Sequence, residues 1–221
     1  MKFFRYLYYF FFIAFNWNVR LAFFVLYYEI RGEKKYKINT TGFDELKKLK
    51  QKGIDISHAT MYMPVSYYLL NKAFRHIAET PKNNFVDIGC GKGRALCVAA
   101  LEGFNKVTGV ELSPDLCNET KENLERTKSI SNHLQYELHN MDAAKFDIPS
   151  DANCIFFFNP FDEVIMSEVV NNIKKSLKKS PRNITVIYAN PLYKDLLIDT
   201  GFQEKYHTRE LDYLEMSILK I

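Results

Sequence analysis

Residues 83–94 read Asn-Asn-Phe-Val-Asp-Ile-Gly-Cys-Gly-Lys-Gly-Arg. Asn83–Ile88 is a short apolar strand ended by Gly89, and Arg94–Leu101 is a helix closed by Gly103. Between them stand Gly89, Cys90, Gly91 and Gly93, a loop that permits a tight turn and close approach of backbone to a ligand. The helix that follows points its amide N–H groups at the loop. A dinucleotide loop of the GxGxxG type needs a third small residue where this chain has Arg94 or Leu96, and no GxxxxGK[ST] phosphate loop is present. The loop is instead preceded by a carboxylate, Asp87. A fixed negative charge opposes a pyrophosphate and attracts a cation, and a ligand with an ammonium and a sulfonium fits that field. The plainer reading is a strand-to-helix turn that serves packing alone.

Outward from this loop, strand and helix alternate. Pro64 opens a helix with apolar residues at Val65, Tyr68, Leu69, Ala73, Phe74 and Ile77. Strands follow at Val107–Val110, Leu134–Leu138, Cys154–Phe158 and Ile184–Tyr188. The helices between them are one capped by Ser113 that runs to about Lys128, another over Val164–Lys178, and a short one over Leu192–Asp199. Glu204–Thr208 and Tyr213–Leu219 close the chain as a hairpin. The pattern predicts an α/β fold with a doubly wound, mostly parallel sheet, whose ligands sit at the carboxyl ends of the strands. Two more acids lie at such ends. Glu111 suits the hydroxyls of an adenosine ribose, and Asp142, with Met141 and Ala143 beside it, suits an adenine. For each, a surface or turn acid is the alternative.

A chain of 221 residues with 47% apolar and 25% charged residues accommodates one full domain with an appendage. Its four cysteines form no CxxC pair and its five histidines no HExxH, so no metal site is expected and the thiols read as reduced and intracellular. Residues 1–50 carry a net charge of +6 and residues 51–221 one of −2. The mildly acidic body argues against general nucleic-acid binding.

Residues 3–30 hold 14 of the 33 aromatic residues. The two apolar runs, Tyr6–Phe15 and Leu21–Tyr28, are each too short to span a bilayer, and Arg20 lies between them. No small-residue cleavage site follows, so a signal peptide is not expected. Two readings stand: an interfacial anchor on an anionic membrane, or a helix packed on the body or on a partner chain. Residues 1–32 are thus taken as an aromatic-rich helical extension. Residues 33–60 are read as a solvated basic connector with a short helix over Phe43–Lys52, and 61–221 as the main domain. The location expected is the cytoplasm, with peripheral membrane attachment under the anchor reading.

Phe85–Arg94, Val107–Pro114 (Val-Thr-Gly-Val-Glu-Leu-Ser-Pro) and the acid after the third strand resemble the class I, Rossmann-like methyltransferases that use S-adenosyl-L-methionine. The resemblance spans about residues 62–220. It is nearest to uncharacterised bacterial members and more distant to non-SET lysine methyltransferases, where Tyr62-Met63-Pro64 matches a Tyr- and Pro-containing loop. It implies a seven-stranded sheet ending in an antiparallel hairpin. It also implies cofactor contacts from Tyr62, Asp87, Gly89, Cys90, Gly91, Gly93, Glu111, Leu112, Asp142, Ala143 and Asn159, the glycine loop and Asp87 holding the methionine part. Amine methyltransferases often carry [DNS]PP[YFW] after the fourth strand. Here Asn159-Pro160-Phe161 is one proline short. By that resemblance Asn159 and the Pro160 carbonyl would hold an amine in line with the methyl, and Phe161 would face the developing charge. Methyl transfer to a protein lysine is the expectation. Transfer to a small molecule, lipid or nucleic acid, or a non-catalytic scaffold of the same fold at a membrane surface, are the alternatives.

Overall fold

The computed structural model describes residues 2–42, 63–159 and 161–221. The helix expected over Phe43–Lys52, together with Tyr62 and Pro160, lies outside the described residues. The strands β1 (Asn84–Ile88), β2 (Lys106–Glu111), β3 (Gln135–Asn140), β4 (Ala152–Phe158), β5 (Thr185–Ala189), β6 (Gln203–Glu210) and β7 (Leu214–Lys220) form one sheet in the order β3-β2-β1-β4-β5-β7-β6. β1 to β5 run parallel, and β7 is antiparallel to β5 and β6. The chain leaves β1 toward β2 and β3, then returns to lay β4 on the other side of β1. That reversal puts the switch point, where such sheets bind ligands, between the ends of β1 and β4.

β1, β4 and β5 are buried along nearly their whole length, as strands covered on both faces must be. Two apolar clusters, one on each face, fill the interior. The helices behind them are α3 (Tyr67–His76), α4 (Arg94–Leu101), α5 (Pro114–Lys128), α6 (Glu163–Lys179) and the short α7 (Lys194–Ile198). Their starts follow local chemistry. Ser113 accepts from the Leu116 amide with Pro114 at the first helical position, and Asp162 accepts from the Ile165 amide. One start differs from the expectation: Pro64 is buried ahead of the helix, and Ser66, whose hydroxyl accepts from the Tyr68 amide, caps α3 instead.

The N-terminal runs are two helices, α1 (Lys2–Asn16) and α2 (Val19–Tyr36), broken at Trp17 and restarted by Asn18, whose side chain accepts from the Leu21 amide. They pack on each other through Tyr9, Ile13, Leu21, Ala22 and Val25. The stretch read as a solvated connector is not one over its described part. α2 runs on to Tyr36, and Glu33, Ile38, Thr40 and Thr41 are buried. The reason is polar. Arg94 of α4 forms a two-pronged ion pair with Glu29 of α2 at 2.5 and 2.6 Å, and its Nε donates to Thr40 Oγ1 at 2.7 Å. Glu33 accepts from the amides of Thr40 and Thr41 at 2.5 and 2.7 Å. Burial works to raise the Glu33 pKa, but the Thr40 amide, the Arg94 charge and Thr41 outweigh it and hold it below the ordinary carboxylate range. The Tyr67 ring stacks on Tyr36 and lies under the Arg94 guanidinium, 4.0 Å from its centre. Gly32 permits this approach, since a Cβ there would stand 2.2 Å from the Tyr67 ring.

Candidate functional site

Asp87 is the fourth residue of β1, paired in register with Gly109 of β2 and Phe156 of β4. It is 3% exposed, and no hydrogen bond to its carboxylate is found among the described residues. Burial, and next the nearby charge of Glu111, push its pKa well above the usual carboxylate range. A buried acid beside a second acid is costly without a cation. That electrostatic demand fits an ammonium- and sulfonium-bearing ligand.

Gly89, Gly91 and Gly93 all have positive φ, at 84°, 55° and 75°. Gly89 is exposed, so its backbone is open to a ligand, whereas Cys90, Gly91 and Gly93 are buried. The Gly89 and Cys90 amides both donate to the Val110 carbonyl, which ties the loop to the end of β2. Burial first, then the carboxylates of Asp87 and Glu111, push the Cys90 thiol well above its ordinary range, which suits packing and not nucleophilic attack.

Glu111 closes the loop from the β2 side. Its Oε2 accepts from the Gly91 amide at 2.8 Å and its Oε1 from the Ser113 amide at 2.9 Å. Burial nevertheless leaves its pKa raised against these amide bonds. One lone pair on each oxygen is thus committed to backbone, leaving the other directions for a ligand. Leu112 is half-buried, and its carbonyl, like that of Glu111, accepts from Asn140 Nδ2. Asp142, just past β3, caps the 3₁₀ turn Ala143–Lys145 through a bond from the Ala144 amide and sits 3.9 Å from Lys145 Nζ. Ala143 and Met141 pack against the apolar cluster on the α6 side. The acids therefore occupy the ends of three consecutive strands, β1, β2 and β3, along one edge.

Asn159 follows β4 directly, beside the glycine loop across the switch point, with φ 38°. Phe161 is buried within the α6-side cluster.

Several residues that shape this site carry no motif. Thr120 donates to the Gly91 carbonyl at 2.6 Å. Asn123 donates to the Lys92 carbonyl at 3.0 Å and receives the Asn39 amide at 2.9 Å, so one amide side chain holds both the loop and the segment after α2. The signal for them was available: Leu116, Thr120, Asn123, Leu124 and Thr127 form one buried row at helical spacing, unusual in that three of the five are polar. Gly93 touches the same row. A Cβ there would lie 2.7 Å from Thr120 Cγ2. Gly93→Ala is expected to lower stability by about 1–3 kcal/mol, roughly 2–12 °C in melting temperature. Adding Thr120→Ser, which removes that methyl and keeps the hydroxyl, recovers part of the loss in the same thermal melt.

Residues 85–180 match the family described as Methyltransferase domain. Over 49 residues the chain is 43% identical to a probable cobalt-precorrin-6B C(15)-methyltransferase (decarboxylating) of Methanobrevibacter smithii. That match takes in 22% of this chain and 26% of the relative, so it spans about a quarter of the relative's length. Among solved structures, an RNA methyltransferase from Salinibacter ruber in complex with S-adenosyl-L-homocysteine superimposes with a TM-score of 0.50 at 14% identity, covering 72% of this chain and 92% of that one. A tRNA (uracil-54, C5)-methyltransferase from Pyrococcus abyssi, also in complex with S-adenosyl-L-homocysteine, gives a TM-score of 0.52 at 13% identity, over 72% of this chain and 39% of that one. These likenesses are of fold: a mostly parallel, seven-stranded class I sheet with flanking helices.

Proposed function

We propose that this protein, whose residues 85–180 match the family described as Methyltransferase domain, binds S-adenosylmethionine and transfers its methyl group to a nucleophile held just beyond β4. The observation that carries the reading is Asp87, a buried acid at the switch point with a second acid, Glu111, beside it. Asp87 and the Gly89 backbone would hold the charged methionine end. Glu111 would accept from the ribose hydroxyls, and Leu112, Asp142 and Ala143 would border the adenine. When bound, the cofactor supplies a methyl carbon already activated by its sulfonium. What the protein adds is alignment, which can account for much of a rate in a direct displacement.

The acceptor we favour is an amine, with a protein lysine first. Asn159 leaves β4 in a left-handed conformation that asparagine tolerates, and its side-chain oxygen would accept from the amine, orienting the nitrogen lone pair toward the methyl. The Pro160 carbonyl and the Phe161 ring complete the proposed catalytic set. The buried position of Phe161 in the apolar cluster suits a wall that excludes water more than an exposed ring. Asn159→Gly tests the side chain alone, since glycine suits the φ of 38°. Transfer at saturating cofactor is expected to fall about 10- to 100-fold, with cofactor affinity nearly unchanged. An equal rate removes Asn159 from the mechanism.

Methyl-labelled cofactor incubated with cell extract separates the acceptors. Label in acid-stable methyl-lysine of a protein band is expected. Label confined to lipid, RNA or small molecules overturns the lysine acceptor while keeping the reaction. Binding of the cofactor without labelling of any fraction overturns the enzymatic reading.

A further inference from the structure

Each N-terminal helix buries one face and leaves the other bare. On α1, Phe3, Phe4, Leu7, Tyr8, Phe11 and Phe15 are 41–85% exposed, and on α2 Val19, Phe23, Tyr27 and Ile30 are 46–62% exposed. Most of the large apolar side chains exposed among the described residues are therefore on this one hairpin. The two rows join. Phe10 contacts the rings of both Phe11 and Phe23, at 5.5 and 4.9 Å, and Phe11 stacks on Phe15. A continuous apolar patch of this kind marks a binding surface.

Its charge identifies the partner. Through residue 42 the only acids are Glu29 and Glu33, and both are buried in the Arg94 and Thr40–Thr41 network. The exposed charges of α2 and the residue after it are all cationic: Arg20, Arg31, Lys34, Lys35 and Lys37. Lys35 is shared with Glu102 of the body at 3.8 Å. Lys34 continues the Phe23–Tyr27–Ile30 row at helical spacing, and Arg20 lies one turn before Phe23. A second copy of the chain seated on this face would set cations against cations across a two-fold axis. Among the described residues no helix is long and apolar enough to cross a bilayer.

We propose that α1 and α2 lie flat in the headgroup layer of an anionic membrane, aromatic rings toward the acyl chains and Arg20, Arg31 and Lys34 on the phosphates. Tyr8 and Tyr27 suit the headgroup depth. Because Glu29 and Arg94 bolt α2 to the helix that begins at the glycine loop, the docked hairpin holds the loop and its site at a set distance from the lipid.

The test is flotation of the full chain with phosphatidylcholine vesicles, alone or mixed with phosphatidylglycerol. The protein is expected to rise with the anionic vesicles and to bind them at least about tenfold more tightly than neutral ones. Trp17, the one tryptophan in the chain, provides a second readout, its emission being quenched by brominated lipid. Phe15→Glu with Phe23→Glu, both on exposed rings, is expected to abolish flotation with an unchanged circular dichroism spectrum. Absence of flotation on anionic vesicles, or a double variant that floats like the wild type, overturns the proposal. So does concentration-dependent self-association in lipid-free buffer, lost in the double variant, from a protein that ignores vesicles. None of these readouts involves turnover.

Discussion

Asp87→Asn is expected to weaken S-adenosylmethionine binding by roughly 30- to 5,000-fold, corresponding to about 2–5 kcal/mol for truncating one side of a buried charged pair. The protein should melt no lower than the wild type. Both halves come from the same burial. The Asp87 carboxyl is 3% exposed, and burial, then Glu111, raises its pKa. An acid whose folded pKa lies above its unfolded one supports the fold fully only at pH below the unfolded value. That support is lost as pH rises through the folded value, because the unfolded chain releases the proton more readily. Asparagine keeps the shape and removes that penalty, so stability above the carboxylate range should be equal or greater. A cationic ligand reverses the balance, since it favours the charged carboxylate. Cofactor affinity should therefore rise with pH through the range where Asp87 titrates, with a proton released on binding. Calorimetry in two buffers of different ionisation enthalpy measures that proton. Affinity unchanged in Asp87→Asn, or a wild-type affinity that stays flat with pH from below the carboxylate range up to neutrality, would remove the acid from the site.

Glu29→Ala is expected to cost about 3–5 kcal/mol, or roughly 6–20 °C in melting temperature, although Glu29 lies 65 residues from its partner and outside the methyltransferase domain match. The substitution leaves Arg94, 3% exposed, as a buried cation that has lost both of its short bonds to carboxylate. Replacing both residues, as Glu29→Leu with Arg94→Met, removes the charge together with its partner and should recover most of the loss. Urea denaturation of the two variants beside the wild type checks this. A Glu29→Ala protein within about 1 kcal/mol of the wild type would mean that the pair contributes no more than an exposed one does. Glu33 adds a pH signature. Its pKa is held below the ordinary range, so its contribution is present above the unfolded carboxylate pKa and is lost as pH falls through the lower folded value. Helix α2 should accordingly loosen from the body in acid.

Much of this could be read along the chain because it is local. Strand and helix periods, the Ser113 cap and the tight turn of the glycine loop are decided within a few residues of each position. Read locally, Arg94 served only to reject a dinucleotide loop, and Glu29 was one acid in an aromatic run. Thr40 and Thr41 looked solvated because their neighbours are lysines and a glycine.

The mostly parallel, doubly wound sheet and the three acids just after its first three strands were thus legible in the residue pattern, since strands alternating with helical crossovers have few ways to pack, whereas the strand order came from the tertiary structure. What else only the tertiary structure decided is which charges meet and which faces stay bare. A carboxylate buried at one end of the chain is tolerable only where a guanidinium from another element reaches it within hydrogen-bond distance. That distance is a property of packed helices, and no spacing in the sequence encodes it.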